Sequence, residues 1–154
     1  MKQGCKVDID FSLVPVDRTN IQYYTEYEAA WETELKQYQS RIYPADNCEK
    51  LRWYHISAAG KYIGAVWLEK TVSDDFAVLG IFISDMSYRN CGIGTAAISR
   101  IIDKDMAYFD NCRVVLRVRE ENKRAVCCYK KVGFIESRRY MKSSFGVIEM
   151  IYEV

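Results

Sequence analysis

The segment Arg89-Asn90-Cys91-Gly92-Ile93-Gly94-Thr95 lies between a strand-like run, Phe76 to Ser84, and a helix-like one, Thr95 to Phe109. A strand that passes through two glycines into a helix sets an α/β arrangement there, because the helix has to pack back on the sheet that holds the strand. Glycines at a helix start leave backbone N–H groups uncovered, and the aligned peptide dipoles make that end attractive to phosphate. A phosphorylated ligand is the first inference.

The commoner phosphate loops do not fit. A P-loop ends in Gly-Lys-Ser/Thr, whereas Gly94 is followed by Thr95-Ala96, with no lysine to reach a terminal phosphate. A dinucleotide fingerprint occupies the first βα turn of a parallel sheet. Here the preceding residues read as an antiparallel meander: between Leu51 and Ser84 the chain is rich in β-branched and aromatic residues, with turn signals at Ala59-Gly60-Lys61 and Ser73-Asp74-Asp75. That predicts three antiparallel strands, 51–58, 62–71 and 76–84,.

The remaining elements follow from periodicity. Val7 to Leu13 alternates apolar and polar residues, as a half-buried strand does,. From Ile21, the residues Tyr24, Tyr27, Trp31, Leu35, Tyr38 and Ile42 recur at helical steps, which predicts one long helix or two in tandem ending by Pro44,. Val114, Leu116 and Val118 share one face of a strand over 113–119, paired in parallel with the strand ending at Ser84 because a helix intervenes,. Asn122 caps a last helix that closes at Gly133, and strands near 134–141 and 147–153 flank a Ser143-Ser144-Phe145-Gly146 turn,.

A chain of 154 residues with 49% hydrophobic content reads as one domain over 1–154 with a real core,. The formal charge of +1 gives no reason to expect nucleic acid or a membrane surface as partner,. The charge is unevenly placed, −4 over residues 1–85 (9 Lys+Arg, 13 Asp+Glu) and +5 over 86–154 (13 against 8). No hydrophobic run reaches the length of a membrane span and Met1 to Cys5 lacks a signal-peptide core, so a cytoplasmic location is expected,. Six cysteines without C-x-x-C spacing and a single histidine, His55, give no zinc pattern, and no metal is expected,.

Arg-x-x-Gly-x-Gly at the end of a fourth strand resembles the pyrophosphate loop of the GNAT superfamily of N-acetyltransferases. The segment Asn122 to Phe134 resembles that superfamily's N-x-x-A-x-x-x-Y-x-K-x-G-F signature position for position. The likeness covers residues 51–134 well and the N-terminal helices only by placement. It implies a mixed α/β (α+β) fold of six to seven strands: an antiparallel N-terminal meander, a parallel splayed pair at strands 4 and 5, and flanking helices. It implies acetyl-coenzyme A as co-substrate, a small-molecule primary amine as acceptor, and often a homodimer. A protein or peptide N-terminus as acceptor, or a non-catalytic acyl-coenzyme A sensor, are the alternatives.

By the same resemblance, Phe82, Ile83 and Ser84 offer backbone hydrogen bonds to the pantetheine arm. Arg89, Asn90, Cys91, Gly92, Ile93, Gly94 and Thr95 wrap the pyrophosphate, and Lys131 reaches the phosphates as a point charge. Asn122 bonds the pantetheine arm, and its plain role as a helix cap is compatible with that. Tyr129, two helical turns after Asn122 on the same face, is the general acid that protonates the departing thiolate, a phenol having a pKa near ~10. The bland alternative is a core tyrosine, one of 12.

The general base is where the chain departs from well-known members. The strand-4 position that holds a glutamate in histone-type relatives falls at about Val78. The glutamate that precedes the motif asparagine in N-terminal acetyltransferases is replaced by Arg117, which cannot accept a proton. Glu69, His55 or water remain. A covalent route through Cys128 or Cys91 has no histidine assigned nearby. The acidic stretch Glu26, Glu28, Glu32, Glu34, beside Tyr23, Tyr24, Tyr27 and Trp31, either seats a cationic amine or is a solvated face beside an aromatic core stripe.

Overall fold

A computed structural model describes residues 10–36 and 41–153 of the chain. Residues 7–9 of the first expected strand, Cys5, Tyr38 and the Glu34 side chain lie outside the described residues. The strands are β1 (Phe11–Pro15), β2 (Lys50–Ala58), β3 (Lys61–Lys70), β4 (Ala77–Ile83), β5 (Val114–Arg119), β6 (Ile135–Lys142) and β7 (Phe145–Tyr152). They form one seven-stranded sheet in the order β1-β2-β3-β4-β5-β7-β6. Every pairing is antiparallel except β4 with β5. The mixed sheet with its antiparallel meander is therefore as expected.

The parallel pair is short. Only Ala77↔Val114 and Val78↔Val115 are in register. Beyond them β4 stays with β3 as far as Gly64↔Ile83, while β5 stays with β7 as far as Arg119↔Val147. Each strand keeps its antiparallel partner, and the sheet twist carries the two apart. The result is a wedge open toward the C-terminal ends of β4 and β5.

Alternation along the strands supplies two faces. On one, Tyr54, Ile56, Val66 and Leu68 meet α2 (Ile93–Asp105), whose Ile93, Ala97, Ile98, Ile101 and Ile102 recur at helical spacing and are buried. Each such isoleucine contributes about 2 kcal/mol by leaving water. The third helix, α3 (Lys123–Val132), joins the same face; Asn122 caps it by accepting from the Ala125 N–H at 3.3 Å, and Gly133 ends it at φ 122°. On the other face Ala65, Trp67 and Phe82 pack under Tyr24, Tyr27, Leu35 and Ile42.

The expected N-terminal helix runs without a gap over residues 21–35, but its geometry is mixed. A 3-10 turn (Ile21–Tyr23), a seven-residue α1 (Tyr24–Ala30) and a π turn (Trp31–Leu35) follow one another. The wide turn shifts the register of the face so that Leu35 is buried and Trp31 only half-buried,. Among the described residues no helix is long and apolar enough to cross a membrane.

Candidate active site

The wedge side of β4 becomes a cleft because of where its peptide groups point. Ala77 donates its N–H to the Arg113 carbonyl of the parallel neighbour, and Ser84 donates its N–H to the Ile63 carbonyl on the other side. By strand alternation, Leu79, Ile81 and Ile83 turn their peptide groups to the wedge, and Phe82 and Ser84 turn theirs to β3. Of the three residues expected to serve an extended ligand arm, only Ile83 therefore faces it along its backbone. Ser84 does not line the cleft.

The loop between β4 and α2 closes the cleft's end. Asp85 accepts from the Ser87 N–H and Oγ at 3.0 and 2.7 Å and pairs with Lys61 at 2.7 Å. The Lys61 ammonium foremost, then the Ser87 hydroxyl, pull the Asp85 carboxyl down to about 2. Arg89 folds back, its guanidinium donating to the Ile83 carbonyl at 3.2 and 2.8 Å and its N–H to Met86. Arg89 is thus a latch on the loop, with its expected donor already engaged. Cys91 points its thiol at the Tyr88 carbonyl, 2.8 Å away, and is off the cleft wall.

Gly92 then takes φ 87°, a left-handed conformation that a side chain would strain, and α2 begins with no side-chain cap,. The first intrahelical bond runs from Ala96 N–H to the Gly92 carbonyl. The amides of Ile93, Gly94 and Thr95 precede it at the positive end of the helix dipole. They line a cleft of about 420 Å³ together with Phe82, Ile83, Arg89, Asn90, Gly92, Asn122, Tyr129 and Lys131. Its apolar wall, from Leu35, Ile81 and Ala125, suits a long ligand with an uncharged arm and a phosphorylated end,.

A second cavity, about 330 Å³, opens on the other side of the wedge, over Trp67, Val78, Gly80, Arg117, Tyr140 and Phe145. Ile81, Asn122 and Tyr129 line both cavities. The Tyr129 hydroxyl has no hydrogen-bond partner among the described residues, and burial pushes its pKa up from 10.0. A neutral phenol donor therefore stands where the two cavities meet.

The profile of the acetyltransferase (GNAT) family matches residues 18–134. The chain belongs to the GNAT acetyltransferase family. Comparison with curated proteins finds no match. Among solved structures, spermidine N-acetyltransferase from Vibrio cholerae in complex with CoA and spermine superposes with TM-score 0.72 at 19% identity, covering 92% of this chain and 94% of that one. Aminoglycoside acetyltransferase AAC(6')-Ib with coenzyme A gives 0.72 at 15%, covering 94% and 95%. Mycobacterium smegmatis RimJ with CoA-disulfide gives 0.74 at 15%, covering 92% and 81%. Identities this low establish the shared fold and nothing of the acceptor.

Within this GNAT frame the expected bases are placed elsewhere. Glu69 is 5% exposed and fully engaged: it accepts from Arg41 at 3.3 and 3.0 Å, from the Ala45 N–H at 2.9 Å and from Trp67 Nε1 at 2.8 Å. A carboxylate held by three donors ties α1's return loop to β3, and it lines neither cavity. His55 is fully buried, stacked on Tyr62 at 4.0 Å, with Nδ1 2.8 Å from the Tyr27 hydroxyl and Nε2 3.2 Å from Asn20. It too is structural.

Burial holds His55 below its ordinary 6.5, because the imidazolium is the form that loses hydration,. Its contribution to stability is fully present above about pH 6.5 and is lost as pH falls below that value,. Thermal unfolding followed from about pH 8 to 5 is expected to show the loss, and His55→Asn to flatten it. An unchanged slope in the variant would assign the acid sensitivity to another group.

Glu26, Glu28 and Glu32 are exposed and line neither cavity, so these three stand on a solvated face. Cys128 lies in the cleft with its thiol 3.3 Å from Thr95 Oγ1, and burial pushes its pKa up, away from the thiolate a nucleophile needs,. Residues not anticipated in the cleft are Leu35, Tyr88 and Cys127, and across the wedge Arg41, Trp67, Arg119, Tyr140, Lys142 and Phe145. Arg124 lines the cleft two residues after the motif asparagine.

Proposed function

We propose that this GNAT chain transfers an acetyl group from acetyl-coenzyme A directly to a primary amine of a small molecule. The observation that carries the reading is the Tyr129 hydroxyl, without a hydrogen-bond partner among the described residues, at the junction of the two cavities. The cleft on the α2 side fits coenzyme A: uncapped amides of Ile93, Gly94 and Thr95 at the phosphate end, with Lys131 and Arg124 beside them, and the peptide groups of Ile81 and Ile83 along the arm,. When bound, acetyl-coenzyme A supplies the thioester that is attacked and the thiolate that leaves. Coenzyme A in the structural neighbours named above supports that fit.

Tyr129 donates its proton to the leaving sulfur. Asn122 orients the ligand beside it while its side chain caps α3. No aspartate, glutamate or histidine lines either cavity among the described residues, so the ammonium proton passes to water before or during attack. The second cavity, about 330 Å³, matches a small acceptor in size,.

The test is release of coenzyme A thiol from acetyl-coenzyme A across a panel of primary amines. Amine-dependent release, with the acetylated amine seen by mass spectrometry, is expected. Binding of acetyl-coenzyme A with no turnover on any amine would instead make the chain an acyl-coenzyme A sensor.

A further inference from the structure

The second cavity is basic. Arg41, Arg117, Arg119 and Lys142 line it, and no carboxylate does so among the described residues. The nearest acids are already committed. Glu69 sits behind Trp67 and pairs with Arg41, and Glu149 is held between Arg117 at 3.1 Å and Arg138 at 3.2 Å. Glu121, largely exposed, lies 3.4 Å from Arg119. Five cations against three carboxylates leave a net charge of +2 in this cluster.

The arrangement follows from the sheet. Arg117 and Arg119 are two apart on β5 and so share one face. Register places Arg119 opposite Val147 on β7, Val147 opposite Tyr140 on β6, and Lys142 opposite Phe145. The Arg119 guanidinium stacks 3.7 Å from the Phe145 ring centre, which holds it in place while leaving it charged,. Lys142 is exposed and has no ion-pair partner among the described residues.

On the acetyl-transfer reading above, we infer that the acceptor is an amine that also carries an anionic group, a carboxylate or a phosphate. Arg117, Arg119 and Lys142 hold that group while the amine points to Tyr129. Guanidinium and ammonium donors suit a carboxylate or phosphate through charge-assisted bonds. The same cations repel a polyamine or an aminoglycoside, so the acceptors named for the structural neighbours do not match this cavity.

The experiment compares kcat/KM for matched amines: an amino acid, its carboxamide, an aminoalkyl phosphate, its alcohol, and a polyamine. An anionic acceptor is expected to exceed its neutral counterpart by about tenfold or more at low salt, with the advantage shrinking as salt screens the cations. Lys142→Glu, an exposed substitution, is expected to reduce that ratio. Equal or better turnover of the neutral or polyamine acceptors overturns the inference and leaves acetyl transfer standing. No turnover of any amine, with acetyl-coenzyme A still bound by calorimetry, overturns both. The two anionic arms tell carboxylate from phosphate.

Discussion

Tyr129→Phe is expected to lower turnover by about 100-fold or more, the usual scale for a positioned general acid, with acetyl-coenzyme A binding nearly unchanged. The substitution removes one oxygen and keeps the ring, which packs partly buried against Phe134 at 6.2 Å between ring centres. The hydroxyl has no partner within the described protein, so its loss strands no donor or acceptor and the fold should tolerate it. Single-turnover kinetics together with calorimetric titration of acetyl-coenzyme A separate chemistry from binding. A variant that turns over at the parent rate removes Tyr129 from the mechanism.

The pH profile gives an independent check. The phenol acts in its protonated form, and burial raises its pKa above 10.0. The active form therefore persists as pH rises past the ordinary tyrosine range, and no falling limb from Tyr129 is expected near pH ~10. The rising limb reports the acceptor amine losing its own proton to water, and it should move with the pKa of the amine supplied.

Gly94→Asp is expected to raise the KM for acetyl-coenzyme A by about 100-fold, equivalent to about 2.7 kcal/mol, while stability holds or rises. The opposite movements come from one cause. A carboxylate in the first turn of α2 is favoured by the helix dipole, so the folded protein gains from it. That same charge occupies and repels the phosphate site that the dipole would otherwise serve. A Cβ at Gly94 would meet only Cys128 Sγ, at 3.5 Å, an ordinary contact. Gly94→Ala is the control: intact folding and a much smaller rise in KM. If the Asp variant binds acetyl-coenzyme A as the parent does, the phosphates sit elsewhere.

How much was legible in the sequence differs between the two cavities, for a physical reason. The cleft beside α2 is built from contiguous segments: β4, the loop to α2, and one face of α3. Local rules of strand alternation, helix capping and glycine placement act over a few residues and can be read from order alone. Two details there escaped that reading. Arg89 turned inward to Ile83, and Ser84 turned its N–H to Ile63, because each is decided by a partner on another element. The π turn that ends the described N-terminal helix escaped for a similar reason, since packing of Leu35 on the sheet overrode a regular helical period.

The second cavity is assembled across the sheet. Arg41, Trp67, Arg117 and Lys142 come together only through the register of β3 to β7 and the return loop after α1. Glu69 and His55 looked available as bases because a sequence shows their chemistry and not their partners. The fold buried both in hydrogen bonds. By itself, the sequence determined the family, the order of elements and the glycine loop that opens α2, since those depend on neighbours along the chain. Tertiary structure alone decided which charges line the second cavity. The wedge between β4 and β5 exposes Tyr129 to two cavities, and long-range strand pairing chooses the side chains that surround it.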